Sequence, residues 1–127
     1  MNDSEGSKQN KVILVIDDDL DVRILLEKFL FKEGYTVLLA SSGQEGLDLF
    51  DANSCYAILL DVSLGDINGI EVAKRMRWKK GNDFKIIGMT AYSKSTIEER
   101  YPEASTFFNQ FCFKPFLHKD VIELLKN

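Results

Sequence analysis

Residues 11–19 read KVILVIDDD and residues 56–61 read YAILLD, and these two stretches are the clearest indication of the fold class. Each is a short, continuously apolar run that ends in acidic residues. Runs of this kind predict strands that are covered on both faces, as in a parallel sheet. The prediction places Asp17, Asp18 and Asp61 at the carboxyl ends of two strands.

Strands and helices alternate along the rest of the chain. Further strands are predicted at residues 35–41, 84–90 and near 111–114, and helices at residues 20–33, 44–50, 69–78, 95–100 and 117–126. Five βα units predict a single α/β domain, doubly wound, with a parallel five-stranded sheet and helices on both faces. Residues 101–110 are the least readable part, where Pro102 is expected to end or prevent a long fourth helix.

Length, composition and charge exclude several classes of protein. The 127 residues fit one domain, and we expect residues 1–10 to be a flexible lead-in before a domain at residues 11–127. No apolar run approaches the roughly eighteen residues needed to span a bilayer, and no secretory signal is visible, so a cytoplasmic protein without a membrane contact is predicted. The net charge of −4 disfavours direct nucleic-acid binding. Cys55 and Cys112 lack metal-site spacing and are expected to be free thiols.

Functional side chains follow several of the predicted strands. Asp61, Thr90 and Lys114 end the third, fourth and fifth strands, facing the acids of the first strand across one sheet edge. Two carboxylates about 4 Å apart repel by about 4 kcal/mol at an effective dielectric of 20, so a cation is expected to compensate. Oxygen ligands at a partly open edge suit Mg²⁺ or Mn²⁺. Beside such an ion a carboxylate can attack a phosphoryl group, with a lysine and a hydroxyl stabilising its oxygens.

Four motifs together resemble the response-regulator receiver family, the CheY-like domains of two-component signalling. They are VILVIDDD at residues 12–19, ILLDVSLGDINGIEV at 58–72, IIGMTA at 86–91 and FCFKPF at 111–116. The resemblance spans residues 11–126. It implies a flavodoxin-like fold with strand order 2-1-3-4-5, so that residues 11–127 would form a receiver domain.

The resemblance also implies roles for individual residues. Asp61 would be the phosphoacceptor and, with Asp18 directly, Asp17 through water and the Ser63 carbonyl, would hold the metal. Thr90, Lys114 and the Ala91 N–H group would bind the phosphoryl oxygens. The Lys114–Pro115 bond would be cis. The domain would be a signalling module, not an enzyme, that assists its own phosphorylation and dephosphorylation.

A switch and its partners are implied in the same way. Thr90 would move toward the phosphoryl group and Phe111 would turn inward, changing the surface of the fourth helix, fifth strand and fifth helix. The phosphodonor would be a phosphohistidine on a sensor histidine kinase or phosphotransfer protein. The signal would pass to an unknown downstream protein or fused output domain, with homodimerisation on phosphorylation as a further possibility.

The sequence departs from the family in two places and leaves further functions open. Gly65 stands where many receivers carry proline, and the segment before the fifth strand is longer than usual. Ser63 and Tyr92 border the site and would tune dephosphorylation. A phosphohydrolase with an aspartyl nucleophile would use the same parts but normally adds a cap domain. A flavodoxin-like electron carrier would share the fold, and a receiver could also work only as a binding module. A calcium loop is excluded because Val22 occupies its glycine position.

Overall fold

A computed structural model describes residues 11–127, and the lead-in predicted for residues 1–10 lies outside this range. The strands are β1 (Val12–Ile16), β2 (Thr36–Ala40), β3 (Ala57–Asp61), β4 (Lys85–Thr90) and β5 (Gln110–Phe113). The helices are α1 (Leu20–Lys32), α2 (Gly43–Ala52), α3 (Gly69–Lys80), α4 (Lys94–Arg100), α5 (Ala104–Phe107) and α6 (His118–Lys126).

The five strands form one parallel sheet in the order β2-β1-β3-β4-β5. The predicted doubly wound α/β fold and its strand order are therefore confirmed. The central strand β3 is buried along its whole length, which explains why its sequence is continuously apolar up to Asp61. The order reverses at β1, so the carboxyl ends of β1 and β3 flank the position where such folds bind ligands.

Two apolar clusters lie on opposite faces of the sheet. On one face α1 and α6 contribute Leu26, Leu30 and Leu125, all fully buried. On the other face α2 and α3 contribute Phe50 and Met76, also fully buried. Burial of a large apolar side chain stabilises the fold by about 2 kcal/mol, so the two clusters hold the sheet between its helices.

The connection between β4 and β5 contains an element that the sequence did not predict. The helix α4 ends at Arg100, and Tyr101 donates its backbone N–H to Ile97. Pro102 follows, as expected for a residue that cannot continue a helix. The chain then forms the four-residue helix α5, whose Ala104 is buried beside Phe108 in the second cluster.

The C-terminal end of α6 is hydrogen-bonded to residues at the amino ends of two strands. The Leu125 carbonyl accepts hydrogen bonds from the Tyr56 hydroxyl at 2.7 Å and from Lys85 Nζ at 2.9 Å. Tyr56 precedes β3 and Lys85 begins β4, so both donors lie at the amino ends of strands. Across residues 11–127, none of the helices has the length and apolar character that crossing a membrane requires.

Candidate functional site

Three carboxylates meet at the carboxyl ends of β1 and β3. Asp17, Asp18 and Asp61 each place an oxygen within 4.8 Å of the others. Asp17 is fully buried and Asp61 is 6% exposed, whereas Asp18 is exposed. The sheet brings them together because β1 and β3 are neighbours in parallel register. The predicted convergence of these acids is therefore observed.

Backbone and side-chain contacts fix Asp17 in this position. Its N–H donates to the Ala40 carbonyl at 3.1 Å, and its Oδ1 accepts from the Asp19 N–H at 2.9 Å. The Asp17 carbonyl accepts from Arg23 Nη1 at 2.8 Å. Sequence reasoning missed Arg23, since one arginine on an amphipathic helix gives no signal that it faces the loop beneath it.

Lys114 reaches the acids from the end of β5. Its Nζ lies 2.9 Å from Asp17 Oδ2 and 3.6 Å from Asp61 Oδ2. Burial alone would lower the pKa of Lys114, but the hydrogen bond and charge of Asp17, with the charge of Asp61, raise it above its ordinary value. The amine is therefore a fixed positive charge between the two carboxylates. The Lys114–Pro115 bond is cis, as predicted.

The Asp61 carboxyl group lies in an unusual electrostatic environment. Burial raises its pKa to about 6, against the opposing effect of the Ser63 N–H, which donates to Asp61 Oδ1 at 3.0 Å. The neighbouring Asp17 raises this pKa further, and Lys114 lowers it. Titratable groups with such perturbed pKa values are typical of functional sites.

Thr90 and Ala91 lie beside this cluster at the end of β4. Met89 is the register partner of Asp61, so Thr90 extends just beyond it at the same sheet edge. Thr90 is 2% exposed, and its Oγ1 accepts from the Tyr92 N–H at 2.9 Å. Ala91 follows at the surface. The Lys114 N–H donates to the Thr90 carbonyl at 2.7 Å, which ties the ends of β4 and β5 together.

The donor atoms suit a small, hard divalent cation. The cluster offers carboxylate oxygens only, and Asp18 leaves one side open to solvent, as Mg²⁺ and Mn²⁺ require in order to keep water ligands. Both oxygens of Asp17 already accept hydrogen bonds, from Asp19 and Lys114. This arrangement fits an Asp17 that contacts a metal through water, with Asp18 and Asp61 as direct ligands.

Phe111 packs against the apolar cluster on the sheet face that α2 and α3 cover. Its ring stacks on Phe108 with centroids 4.9 Å apart. It also covers Gly88, where an added Cβ atom would lie 2.6 Å from two ring carbons. The ring is half-buried and lines an open groove with Ile97 and Tyr101.

Comparisons with known proteins agree with this geometry. The family model described as the response regulator receiver domain matches residues 13–126. The response regulator MprA of Mycolicibacterium vanbaalenii is 33% identical over 114 residues, which cover 90% of this chain and 48% of that protein. The chain thus spans about half the length of the curated relatives it matches.

Solved structures show the same architecture. The response regulator TrrA from Thermotoga maritima, crystallised in complex with Mg²⁺–BeF, is 35% identical with a TM-score of 0.81, over 91% of this chain and 96% of that one. A response regulator from Burkholderia pseudomallei, crystallised with a phosphorylated aspartic acid, a calcium ion and citrate, is 25% identical with a TM-score of 0.81, over 91% of this chain and 66% of that one.

Proposed function

The chain belongs to the response regulator receiver family of two-component signalling, and from this premise we propose that Asp61 accepts a phosphoryl group in a reaction that depends on Mg²⁺. The observation that carries the proposal is the cluster itself. Three carboxylates lie within 4.8 Å of one another, and Lys114 Nζ lies 3.6 Å from Asp61. Such a cluster is costly without a cation and well suited to an anionic phosphoryl group once the cation is present.

Asp61 would act as the nucleophile. Above about pH 6 its carboxyl group is ionised, so an oxygen lone pair is available for attack on phosphorus. The bond between the donor's imidazole nitrogen and phosphorus breaks as the bond between the Asp61 oxygen and phosphorus forms, and the nitrogen keeps the electron pair. Because the Ser63 N–H holds Asp61 Oδ1, the carboxylate keeps one orientation during the attack.

Asp18, Asp61 and the Ser63 carbonyl would hold the metal directly, and Asp17 through water. When bound, Mg²⁺ supplies positive charge that offsets the negative charge of the acids and of the phosphoryl oxygens. Mn²⁺ would serve the same purpose.

Lys114, Thr90 and the Ala91 N–H group would bind the phosphoryl oxygens. Lys114 is held by Asp17 within reach of Asp61, so its charge is in place before the phosphoryl group arrives. The Thr90 hydroxyl would turn toward the oxygens of the phosphoryl group on Asp61. This movement would link the site to the end of β4. These groups speed transfer to and from the chain's own aspartate, which makes the domain a signalling module that assists its own chemistry.

The movement of Thr90 would be passed to Phe111. The half-buried Phe111 ring borders the groove formed by α4 and β5, so a change in its position alters the surface of α4, β5 and α6. That surface would signal to a downstream protein or to a fused output domain, and phosphorylation could bring two copies together there. The phosphodonor would be a sensor histidine kinase or phosphotransfer protein of the cytoplasm.

The test is intact mass after incubation with acetyl phosphate and MgCl₂. The wild type is expected to gain one phosphoryl group, and both EDTA and Asp61→Asn should abolish the gain. Asp83→Asn is the matched control, because this exposed acid precedes β4 at the opposite edge of the sheet.

An adduct that survives in Asp61→Asn would contradict the assignment of the acceptor. If the wild type gives no adduct, beryllofluoride distinguishes two cases: binding to Asp61 would indicate rapid hydrolysis, and no binding would indicate a receiver that works only as a binding module.

A further inference from the structure

The loop after Asp61, residues 62–68, lies directly over the acidic cluster. Ser63 lies at its start, and the Ser63 N–H is bound to Asp61. At its middle, a Cβ atom on Gly65 would have Asp18 Oδ2 as a neighbour at 3.8 Å. The path of this loop therefore sets where the Ser63 carbonyl lies relative to the carboxylates.

Both ends of the loop are held by hydrogen bonds. At the start, the Val62 N–H donates to the Met89 carbonyl at 3.0 Å. At the end, the Gly69 N–H donates to the Val62 carbonyl at 2.9 Å, and the Asn68 side chain caps α3 by accepting from Ile70. These contacts close the loop but do not tie its middle to the rest of the molecule.

Leu64 and Ile67 make apolar contacts with the second cluster, and Asp66 adds a polar tie to α2. Its Oδ1 accepts from the Gly43 N–H at 2.9 Å and its Oδ2 from the Gln44 N–H at 3.0 Å. Both donors belong to the first turn of α2, whose N–H groups have no partner within the helix. The hydrogen bond from Gly43 lowers the pKa of Asp66 most, and the one from Gln44 lowers it further, so the Asp66 carboxylate is charged at neutral pH. A fork of two bonds fixes orientation as well as distance.

Gly43, the first residue of α2, has no side chain that would obstruct this contact. A Cβ atom at Gly43 would lie 3.1 Å from Ile67 Cβ and 3.3 Å from Asp66 Oδ1, so the missing side chain lets the loop come close. The N-cap residue Ser42 takes a different N–H, that of Glu45, and leaves those of Gly43 and Gln44 to Asp66. The loop and the helix are therefore fitted to each other.

The contact also reaches the first strand. The helix α2 follows β2, and the Ala40 carbonyl at the end of β2 accepts from the Asp17 N–H at 3.1 Å. Asp66 therefore joins the loop that carries Ser63 to the segment that holds Asp17. The two sides of the acidic cluster are linked through the start of α2.

We propose that Asp66 is a positioning residue for the metal site, which holds the loop of residues 62–68 so that the Ser63 carbonyl faces the carboxylates. The inference rests on the proposed function, because it assigns to Asp66 the support of a cation held by that cluster. Residues that orient metal ligands without contacting the metal typically change its affinity by 10- to 100-fold when they are replaced.

The experiment measures the rise of the melting temperature of the full chain during a MgCl₂ titration. Asp66→Ala removes both hydrogen bonds. Asp66→Glu keeps the charge, but its longer side chain cannot hold both N–H groups with the loop in the same place. Asp48→Asn is the control, because it removes one negative charge from α2, the helix that Asp66 contacts, and affects only an exposed contact with the Gln44 side chain at 3.0 Å.

Both Asp66 variants are expected to need roughly tenfold more Mg²⁺ for the same rise in melting temperature, with Asp48→Asn at the wild-type value. A lower melting temperature in EDTA with the wild-type rise at each Mg²⁺ concentration would show a purely structural role and overturn the inference. A wild-type rise at each Mg²⁺ concentration in Asp66→Glu alone would show that only charge matters, and would also overturn it. If Asp66→Ala does not fold, Asp66→Glu decides. A wild type that Mg²⁺ does not stabilise would instead refute the proposed function, and this inference with it.

Discussion

The acidic edge and the connection between β4 and β5 are held together in different ways. At the acidic edge, the loop of residues 62–68 is fixed by backbone groups and by short polar side chains close to the strand ends. In the part of the connection that follows α4, residues 101–109, the backbone is held by a long side chain from another element. Arg77 of α3 donates to the Phe107 carbonyl at 2.9 Å, to the Phe84 carbonyl at 2.8 Å and to Asn109 Oδ1 at 2.7 Å.

The fold alone brings the acids together, whereas the shape of the connection depends on individual side chains of this sequence. Any parallel sheet gathers the carboxyl ends of its strands at one edge, so acids placed there must meet. The shape of the connection depends instead on whether Arg77 and Asn109 find their partners, and on the space beside Gly88. Substitutions in the two regions should therefore act differently.

The largest effect is expected for Gly69→Ala at the acidic edge. A Cβ atom there would overlap the Asp61 carbonyl and approach the Val62 Cα, and backbone atoms cannot turn aside. We expect the free energy of unfolding, measured with urea, to fall by at least about 3 kcal/mol.

Gly65→Ala is the matched control in the same loop. Its Cβ atom would meet Asp18 Oδ2 only at the ordinary contact distance of 3.8 Å, and its φ angle is not positive. The alanine should stabilise the chain by about 0.5 kcal/mol, because it restricts the unfolded state. Equal effects of the two substitutions would show that the loop does not need its close approach to β3.

Arg77→Ala tests the connection. It leaves the Phe84 and Phe107 carbonyls and the Asn109 side chain without this charged donor, so a loss of about 3 kcal/mol is expected in urea unfolding. Arg75→Ala, two residues earlier, loses only an exposed ion pair with Glu71 and should cost about 0.5 kcal/mol or less. If both variants unfold at the same urea concentration, Arg77 does not hold the connection.

Asp61→Asn is expected to change how stability depends on pH in EDTA. Folding raises the pKa of Asp61 from 3.8 to about 6, so between these values the folded chain binds more protons than the unfolded chain. The free energy of unfolding therefore falls as the pH rises through this window. An asparagine cannot ionise, so the variant should be more stable than the wild type by about 3 kcal/mol at pH 7.5 and not at pH 4.

Urea unfolding at the two pH values measures this difference. A stability gain of the same size at both pH values would show that its origin is packing and not the carboxylate charge.

Apart from the control variants, the smallest loss is expected for Gly88→Ala, beside Phe111. The added Cβ would lie 2.6 Å from two carbons of the Phe111 ring and 3.0 Å from the Phe108 ring. Because the Phe111 ring is half-buried, it can turn away, so a loss of only about 1 to 2 kcal/mol is expected. The Phe111 ring resonances should shift in NMR spectra, while Asp61 should still take up a phosphoryl group from acetyl phosphate. A loss of that reaction would show that the geometry of the acidic edge depends on the packing beside Gly88.

The parts of the site that could be predicted are those that topology alone brings together. Asp17, Asp61 and Lys114 lie far apart in sequence, but each lies at the carboxyl end of a strand of the same parallel sheet. Their residue types then indicated a metal and a phosphoryl group. Helix ends were less exact, since α2 and α3 each extend two residues beyond the predicted end.

The parts that could not be predicted depend on where single side chains point. Arg77 lies in a helix rich in lysine and arginine, where a charged residue is normally solvated. Asp66 lies in a polar loop, and its partners are 22 and 23 residues earlier in the chain. The short helix α5 has no periodic pattern, because four residues are too few to show one. Such contacts follow from three-dimensional fit and not from local spacing.

The hydrogen bonds that the Leu125 carbonyl accepts have a mechanical consequence for α6. This helix has nine residues and is about 13 Å long; it is anchored at its last turn to Tyr56 and Lys85, while its first residue follows Lys114 by four positions. A rod fixed at one end pivots when its other end is pushed. A displacement beside the acids would therefore tilt α6 about Leu125 and slide the His118 ring over Phe29, on which it stacks with centroids 4.2 Å apart.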